Sequence, residues 1–323
     1  MTEQLFELPE SYLAIIEEAK KVAQQVAPYA HHADEADHFD PNVRQILAES
    51  GLCSLTVPKK FGGRFEEVDS LAVTVVREQL AYESAHVDSM FCMQGIGSYA
   101  LAQAGSPALQ EAWLPAVGRL ESIAALGLTE PDVGSDLRAI TTTIEVEGDL
   151  LRINGHKSFI TNAGDADFYT MLGKETVGGE IAYSLVLIPA STPGLSVSHP
   201  HQIIAPHVLG DVIMKDVMVP SSHRIGEPGK GFNLVLATLS TFRVSVAGAA
   251  IGIAQAALDE ATKHAAGREQ FGVPLARLGG IPAQLANSWA EIEMARALTY
   301  RAAAASARDA RANLYLSSLA KAG

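Results

Sequence analysis

The amino-acid sequence predicts an α+β protein of several domains, in which a middle antiparallel β domain separates two helical domains. In residues 1–122, apolar side chains recur at steps of three and four, which is the spacing of amphipathic helices. In residues 123–230 the apolar period falls to two, which is the spacing of strands with one buried face. In residues 231–323 the chain is helical again and rich in alanine. We therefore predict three domains with these boundaries.

The N-terminal domain begins with a helix whose apolar stripe runs from Tyr12 to Val26. Pro28 is predicted to end this helix, because proline lacks the backbone N–H and its ring clashes with the preceding turn. A second helix is predicted to begin at Pro41 and to stop at Gly51, since glycine accepts the left-handed conformation at helix ends. Two further helices are predicted over residues 69–82 and 86–104.

The middle domain shows short alternating runs separated by turn signals. Residues 143–146 alternate between polar and apolar, and a second run begins at 150 after a glycine-aspartate turn. Asn154-Gly155 is a strong hairpin signal, because both residues accept a positive φ. Further strand-like runs cover residues 183–188, 194–198 and 211–219. Since no helical segment lies between these runs, the pattern favours an antiparallel sheet over a parallel dinucleotide-binding unit.

The C-terminal domain contains helices that are apolar on nearly all sides. Residues 244–258 form the longest such run, and Gly248 and Gly252 lie on one face of it, where another backbone can approach closely. A second long helix is predicted over residues 282–308. This amount of apolar helix predicts burial against other subunits as well as within the chain.

Composition and charge exclude several classes of protein. The 24 Lys and Arg residues against 37 Asp and Glu residues give a net charge of −13, and so acidic a surface repels nucleic-acid phosphates. Cys53 and Cys92 are the only cysteines in the sequence, so no disulfide framework or cysteine-rich zinc site is predicted. The polar N-terminus is unlike a signal peptide, and the run 244–258 is shorter than the ~20 residues of a membrane span. We expect a soluble, cytoplasmic protein.

A polar loop from Leu126 to Asp136 joins the helical zone to the β zone. Large side chains do not obstruct the backbone N–H groups of Gly134 and Ser135, which could bind an anion; a plain surface turn is the alternative. The loop has no Gly-x-Gly-x-x-Gly motif, so no NAD(P) site of that kind is predicted. The ten histidines show no metal-ligand spacing, so metal catalysis is not predicted.

Two arginines in the last domain are candidate anion contacts. Arg243 lies within an apolar helix, where an unpaired guanidinium is costly, so we expect it to meet a carboxylate, a phosphate or solvent. A structural ion pair is the alternative for Arg243. Arg268 precedes Phe271 by three residues in a predicted turn, where the cation could bind phosphate while the aromatic ring stacks.

Four ordered motifs resemble those of the acyl-CoA dehydrogenases. They are LTEPDVGSD at 128–136, NGHKSFITNA at 154–163, GEPGKGF at 226–232 and REQFGVPL at 268–275. The resemblance extends from about residue 10 to the end of the chain. It implies an acyl-CoA dehydrogenase-like fold, with an N-terminal α-helical domain, a middle antiparallel β domain and a C-terminal helical-bundle domain.

The resemblance implies FAD as the cofactor and assigns residues to it. Leu126, Leu128 and Thr129 would lie beside the flavin ring, and Phe159 and Thr161 would cover its other side. Gly134 and Ser135 would lie near the pyrophosphate, with Ser135 also near the substrate. Arg243 would approach the CoA part of the substrate. Arg268 and Phe271 would contact the FAD of a neighbouring subunit.

The implied reaction is α,β-dehydrogenation of an acyl-CoA thioester within acyl-CoA or fatty acid catabolism. A glutamate would remove the α-proton and a hydride would leave the β-carbon for the flavin. Electrons would pass to an electron-transferring flavoprotein, and the protein would be a homotetramer. The helices at 90–99 and 233–242 would line the acyl pocket. The small and polar run at 93–98 favours a short, branched or cyclic acyl group.

The sequence departs from the family pattern at the catalytic base. Where some members carry a glutamate before the helix arginine, this chain has Phe242, and no Tyr-Glu-Gly-like motif is found in the 323 residues. We therefore expect the base Glu beyond Gly323. The alternatives are a non-catalytic subunit of a heteromeric dehydrogenase and a flavin monooxygenase or oxidase on the same fold. Gly279-Gly280 also replaces a commonly found glutamine that contacts the cofactor.

Overall fold

The computed structural model describes residues 8–35, 38–201, 203 and 207–323, and it places a β sheet between two groups of helices. This arrangement confirms the predicted fold class. The helices are α1 (Glu10–Asp34), α2 (Pro41–Ser50), α3 (Ser70–Glu83), α4 (Ala85–Ala104), α5 (Pro107–Gly118), α6 (Gly231–Gly267), α7 (Ile281–Arg308) and α8 (Leu314–Ala322). The strands are β1 (Ala124–Gly127), β2 (Thr143–Glu147), β3 (Leu150–Thr161), β4 (Phe168–Val177), β5 (Glu180–Pro189), β6 (Leu195–Ser198), β7 (Leu209–Pro220), β8 (Arg224–Ile225), β9 (Glu269–Gln270) and β10 (Val273–Pro274).

Helix α1 continues through Pro28 to Asp34, so the prediction that proline ends it was wrong. The buried stripe of the helix continues on both sides of the proline, with Val26 before it and Ala33 after it. Packing of these residues against the core outweighs the hydrogen bond that proline cannot make. The predicted end of α2 is confirmed, because Gly51 adopts the left-handed conformation with φ of 68°.

The main sheet has eight strands, in the order β6-β7-β3-β2-β4-β5-β8, with β1 beside β4. Most neighbouring pairs are antiparallel, as predicted, but β1 and β2 both pair with β4 in parallel. The predicted antiparallel sheet is therefore confirmed in most of its pairings, and β4 is the strand at which parallel pairs occur. The reason is topological: β3 occupies one side of β2, so the chain crosses to the other side before it forms β4.

Asn154-Gly155 does not form a hairpin turn, and that prediction was also wrong. The pair lies inside β3, at a shift in register with β7 between Ile153 and Gly155. The Asn154 side chain accepts a hydrogen bond from the Asp216 backbone N–H at 2.8 Å, which stabilises this bulge. Glycine follows because a Cβ atom at position 155 would lie 2.2 Å from Thr142 Oγ1.

Helix α6 crosses α3 at the two glycines that the sequence singled out. A Cβ atom at Gly248 would lie 2.6 Å from the carbonyl oxygen of Thr74, and one at Gly252 would lie 2.1 Å from that of Glu78. Helix α6 is long and apolar enough to cross a membrane by length and composition, but 61% of its most apolar window is buried inside the protein. Such burial is typical of a core helix.

Helices α6 and α7 leave an apolar groove of about 900 Å³ between them. Outside the lining of the groove, the same two helices expose large apolar side chains to solvent, including Ile253, Trp289 and Met294. The burial of these helices against other subunits stays a prediction.

Candidate functional site

Two of the predicted motifs meet where β1 ends and β3 nears its end. The backbone N–H of Ser158 donates to the carbonyl oxygen of Thr129 at 2.9 Å. Lys157 Nζ donates to the carbonyl oxygen of Leu128 at 3.0 Å. The structure therefore brings the predicted residues Leu128 and Thr129 next to the segment that carries Phe159.

A buried carboxylate, which we call the Glu130 anchor, fixes the conformation of the first motif. Glu130 accepts hydrogen bonds from the backbone N–H and the hydroxyl of both Thr141 and Thr142, at 2.5–2.9 Å. Lys157 Nζ, whose side chain is fully buried, lies 3.0 Å from Glu130 Oε1. The anchor thus connects the end of β1, the start of β2 and the middle of β3.

The hydrogen bonds of the Glu130 anchor set its protonation state. Burial alone would raise the pKa of Glu130, but the bonds from Thr142 and Thr141 outweigh it and lower the pKa to about 2. Burial lowers the pKa of Lys157 to about 8, although the charge of Glu130 opposes this shift. Both groups are therefore charged at neutral pH.

Phe159 is presented to solvent by an unusual backbone conformation. Its φ is 57°, in the left-handed region that residues with a Cβ atom disfavour, and its side chain is 52% exposed. Asn162 is also left-handed, with φ of 68°. Strained backbone around an exposed aromatic ring is typical of a functional site rather than of a packing core.

A second polar group, the Asp211 cluster, lies beside Phe159 and consists of Asp211, His156, His201 and Ser158. His201 Nε2 lies 2.6 Å from Asp211 Oδ1, and His156 Nε2 lies 2.8 Å from Asp211 Oδ2. Ser158 Oγ donates to Asp211 Oδ1 at 2.6 Å. Burial alone would raise the pKa of Asp211, but the bonds from Ser158 and the two histidines lower it to about 2.

The Asp211 cluster is neither a nucleophile relay nor a metal site. In a catalytic triad, the serine and the carboxylate contact different nitrogens of the histidine, whereas here Ser158 and Asp211 both contact His201 Nε2. Among the residues that the structure describes, no group of three or more His, Cys, Asp or Glu side chains could hold a metal ion. These histidines look scattered in the sequence, because His201 and the strands β3 and β7 come together only in the fold.

The residues of the two segments that meet here suit a planar aromatic group with a polar edge. Leu126 and Leu128 are half-buried apolar side chains, and Thr129 and Thr161 add hydroxyl groups. One residue beyond Thr161, the buried Asn162 Oδ1 has no hydrogen-bond partner within the described ranges. A buried acceptor without a donor is costly, so a polar group bound nearby is consistent with this site.

Gly134 and Ser135 are exposed in the same loop, after a turn closed by hydrogen bonds between Glu130 and Val133. An added Cβ atom at Gly134 would meet nothing within 4 Å, so its backbone is open to a ligand. Open space at Gly134 is found both in anion-binding loops and in plain surface turns, so it does not distinguish between them. The role predicted for these two residues stays a prediction.

Arg268 and Phe271 lie far from the sheet within their own chain. Gly231, at the start of α6, lies against Ser184 and Leu185 of β5, and about 55 Å of helix separates it from Arg268. Phe271 has φ of 53° and a side chain that is 95% exposed. The structure therefore does not bring this pair together with Thr129 and Phe159 of the same chain.

Arg243 is half-buried, and its Nη1 donates to Ser318 Oγ of α8 at 3.0 Å. Among the residues that the structure describes, Arg243 has no carboxylate partner, which is against the alternative of a structural ion pair. A phosphate or solvent stays the expected partner. A neutral hydroxyl leaves most of the guanidinium donors available for an anion. Phe242, one residue earlier, is buried and packs edge-on against Tyr99, with ring centroids 5.7 Å apart.

Family models match three parts of the chain. They are described as the acyl-CoA dehydrogenase N-terminal domain over residues 9–121, the middle domain over 125–217 and the C-terminal domain over 229–322.

Individual relatives are similar over most of the chain. Cyclohex-1-ene-1-carbonyl-CoA dehydrogenase of Syntrophus aciditrophicus (strain SB) is 35% identical, over 92% of this chain and 72% of that protein. Cyclohexane-1-carbonyl-CoA dehydrogenase of Geobacter metallireducens is 33% identical, over 93% of this chain and 80% of that protein. The structure of butyryl-CoA dehydrogenase from Megasphaera elsdenii superposes with a TM-score of 0.88 and 28% identity, over 98% of this chain and 86% of the other.

Proposed function

The chain belongs to the acyl-CoA dehydrogenase family, and from this we propose that it binds FAD and oxidises the Cα–Cβ bond of an acyl-CoA thioester. The observation that carries the proposal is the meeting of the Leu128-Thr129 and Phe159–Thr161 segments beside an exposed aromatic ring. The family resemblance assigns these same residues to the flavin ring.

The residues that would hold FAD fall into two groups. Leu126, Leu128 and Phe159 supply apolar surface that suits the flavin ring, and Thr129 and Thr161 supply polar groups for its edge. Gly134 and Ser135 supply open backbone for the pyrophosphate. When bound, FAD supplies a hydride acceptor, which no protein side chain can provide.

The chain's own residues orient the reactants and exclude water. The buried Lys157, paired with Glu130, holds the carbonyl oxygen of Leu128, and the Ser158 backbone N–H holds that of Thr129. These two residues therefore need little reorganisation when a ligand binds. Arg243 would bind the CoA portion of the substrate with the guanidinium donors that Ser318 leaves free. Phe242 cannot accept a proton, so we assign no catalytic base among the residues that the structure describes.

A neighbouring copy of the chain would complete each site. Arg268 and Phe271 are exposed at the far end of α6, where they cannot reach the flavin site of their own sheet. We propose that they contact the FAD of another subunit in a homotetramer. The apolar groove between α6 and α7 and the exposed apolar side chains of the same helices support burial against further protein.

The acyl group is proposed to be short, branched or cyclic. Phe242 occupies space between α4 and α6, because a Cβ atom at Gly95 would lie only 2.4 Å from its ring. A pocket narrowed by Phe242 and Tyr99 favours a compact acyl group over a long chain. Two relatives named for cyclohexane- and cyclohexene-carbonyl-CoA support this choice. An electron-transferring flavoprotein is the proposed electron acceptor, in the cytoplasm.

The purified protein is expected to be yellow and to release FAD rather than FMN. Phe159 offers an aromatic contact for the flavin ring, which FAD and FMN share. Arg268 would neutralise the pyrophosphate, which FAD has and FMN lacks. Denaturing the protein and separating the released flavin by chromatography measures this. A colourless folded protein, or FMN in the supernatant, would show that the cofactor assignment is incorrect.

Anaerobic mixing with a compact acyl-CoA is expected to bleach the flavin absorbance of the natural protein. Cyclohexane-carbonyl-CoA and butyryl-CoA are suitable probes, with free CoA as the control. Admission of oxygen in the presence of substrate separates the alternatives: slow reoxidation supports a dehydrogenase, and rapid formation of hydrogen peroxide or a hydroxylated product supports an oxidase or monooxygenase. If no acyl-CoA bleaches the flavin, the dehydrogenase proposal fails and a non-catalytic subunit is favoured.

A further inference from the structure

The exposed ring of Phe159 rests on the imidazole of His201. The two ring centroids lie 4.0 Å apart, and the ring planes differ by 20°, which is a stacked arrangement. Phe159 is half exposed, so the face of its ring that stacks on His201 is a main contact of its side chain. The position of His201 therefore helps to set where the Phe159 ring lies.

Asp211 holds the His201 ring and the Ser158 side chain through the same oxygen atom. His201 Nε2 and Ser158 Oγ both lie 2.6 Å from Asp211 Oδ1. One carboxylate oxygen thus anchors the ring on which Phe159 stacks and the residue that precedes Phe159 in the chain. His156 occupies the other oxygen, Oδ2, so the carboxylate is held from both sides.

We propose that His201 and Asp211 are positioning residues that hold the Phe159 ring and thereby shape one face of the FAD site. The inference rests on the proposed function, since it takes Phe159 to lie against the flavin. Neither residue needs to touch the reacting atoms. Their effect on FAD binding is transmitted by stacking and by one shared hydrogen-bond acceptor.

Two substitutions at His201 separate the stacking from the hydrogen bond. His201→Gln keeps a side-chain N–H that can reach Asp211 but removes the ring, and His201→Phe keeps the ring but removes the donor. A matched control is His199→Gln, because His199 contacts the carbonyl oxygen of Leu209 and the ring of His38 instead of Phe159. Thermal unfolding of each variant shows whether the fold is intact.

The dissociation constant for FAD is measured with flavin-free protein, together with the circular dichroism that the protein induces in the visible bands of FAD. His201→Gln is expected to bind FAD about 3- to 10-fold more weakly, the range of one aromatic stacking contact, and to lose part of the induced signal. His201→Phe is expected to recover only part of the affinity, because its ring can stack on Phe159 but is no longer held by Asp211, and His199→Gln is expected to match the unmodified protein. Unchanged binding in His201→Gln, or an equal loss in His199→Gln, would overturn the inference.

A flavin-free measurement separates this inference from the proposed function. With ¹³C-labelled histidine, the His201 ring proton should show an upfield ring-current shift that disappears in Phe159→Leu. If that shift is seen but the unmodified protein binds no FAD, the proposed function fails and the role of His201 in FAD binding fails with it. If FAD binds but the ring-current shift is absent, only the positioning role is overturned.

Discussion

Replacing Glu130 by alanine is expected to destabilise the protein by about 3–5 kcal/mol and to abolish stable FAD binding. The substitution leaves the charge of the fully buried Lys157 without its partner, and breaking a buried ion pair on one side carries a cost of this order. It also leaves the backbone N–H groups of Thr141 and Thr142 without their acceptor. Chemical denaturation gives the free energy of unfolding, and spectral titration gives the FAD affinity.

A matched control is Glu145→Ala, since Glu145 is an exposed glutamate on β2, close to the same threonines in sequence. We expect Glu145→Ala to change stability by less than about 0.5 kcal/mol. Glu130→Gln is expected to destabilise the protein almost as much as Glu130→Ala. Both carboxylate oxygens of Glu130 accept hydrogen bonds, so the amide NH₂ of glutamine would place a donor against other donors. A Glu130→Ala protein with unchanged unfolding would show that the Glu130 anchor is dispensable.

The acid dependence of stability tests the charge state of Glu130. Its pKa in the folded protein is lowered to about 2 from an ordinary 4.5, so between these values the unfolded chain binds more protons than the folded one. The contribution of Glu130 to stability is therefore fully present above about pH 4.5 and is lost as the pH falls toward 2. The difference in unfolding free energy between the unmodified protein and Glu130→Ala should shrink over this interval. A constant difference would contradict the lowered pKa.

Local patterns in the sequence predicted most elements of the fold and failed where distant parts of the chain decide the outcome. Gly51 ends α2 as predicted, because helix termination depends on one residue's own conformation. Asn154-Gly155 reads locally as a turn, yet Asp216 and Thr142 from other strands turn it into a bulge within β3. Pro28 likewise reads as a stop, and packing of the residues on both sides of it keeps the helix intact.

In the candidate site, too, local motifs could be predicted and contacts between distant parts of the chain could not. The motifs that contain Thr129 and Phe159 were visible in the sequence, and the structure places them side by side. The Asp211 cluster was not visible in the sequence. A histidine at 201 and an aspartate at 211 have no helical, strand or metal-ligand spacing that would connect them. Only the pairing of β3 with β7 brings Ser158 and Asp211 within hydrogen-bond distance. Tertiary clusters of this kind need either a structure or a comparison of many related sequences.

Arg268→Ala is expected to weaken FAD binding by about 10- to 150-fold, the equivalent of ~1.5–3 kcal/mol for charge-assisted hydrogen bonds to a diphosphate. Arg277→Ala is the matched control, because Arg277 is an exposed arginine in the short helical turn that follows β9 and β10, the two strands after Arg268. Arg268→Lys should lie between the two, since lysine keeps the charge but not the paired donors of the guanidinium. Flavin occupancy after extensive dialysis, and the dissociation constant for FAD, measure the effect. Equal flavin occupancy in all variants would show that Arg268 only ends α6 and does not contact FAD.

The location of Arg268 makes a sharper form of this test possible. If its guanidinium serves the FAD of another subunit, a chain with Arg268→Ala and a chain with Glu130→Ala are each defective in a different half of the site. Differently tagged copies of the two chains, co-expressed and purified as hybrids, should regain FAD in the sites that combine an intact Glu130 with an intact Arg268. Each variant expressed alone should stay depleted of FAD. Since about 55 Å of helix separates Arg268 from Gly231, recovery in the hybrid requires contact between chains. Hybrids that bind no more FAD than the single variants would place the Arg268 effect within one chain and rule out the shared site.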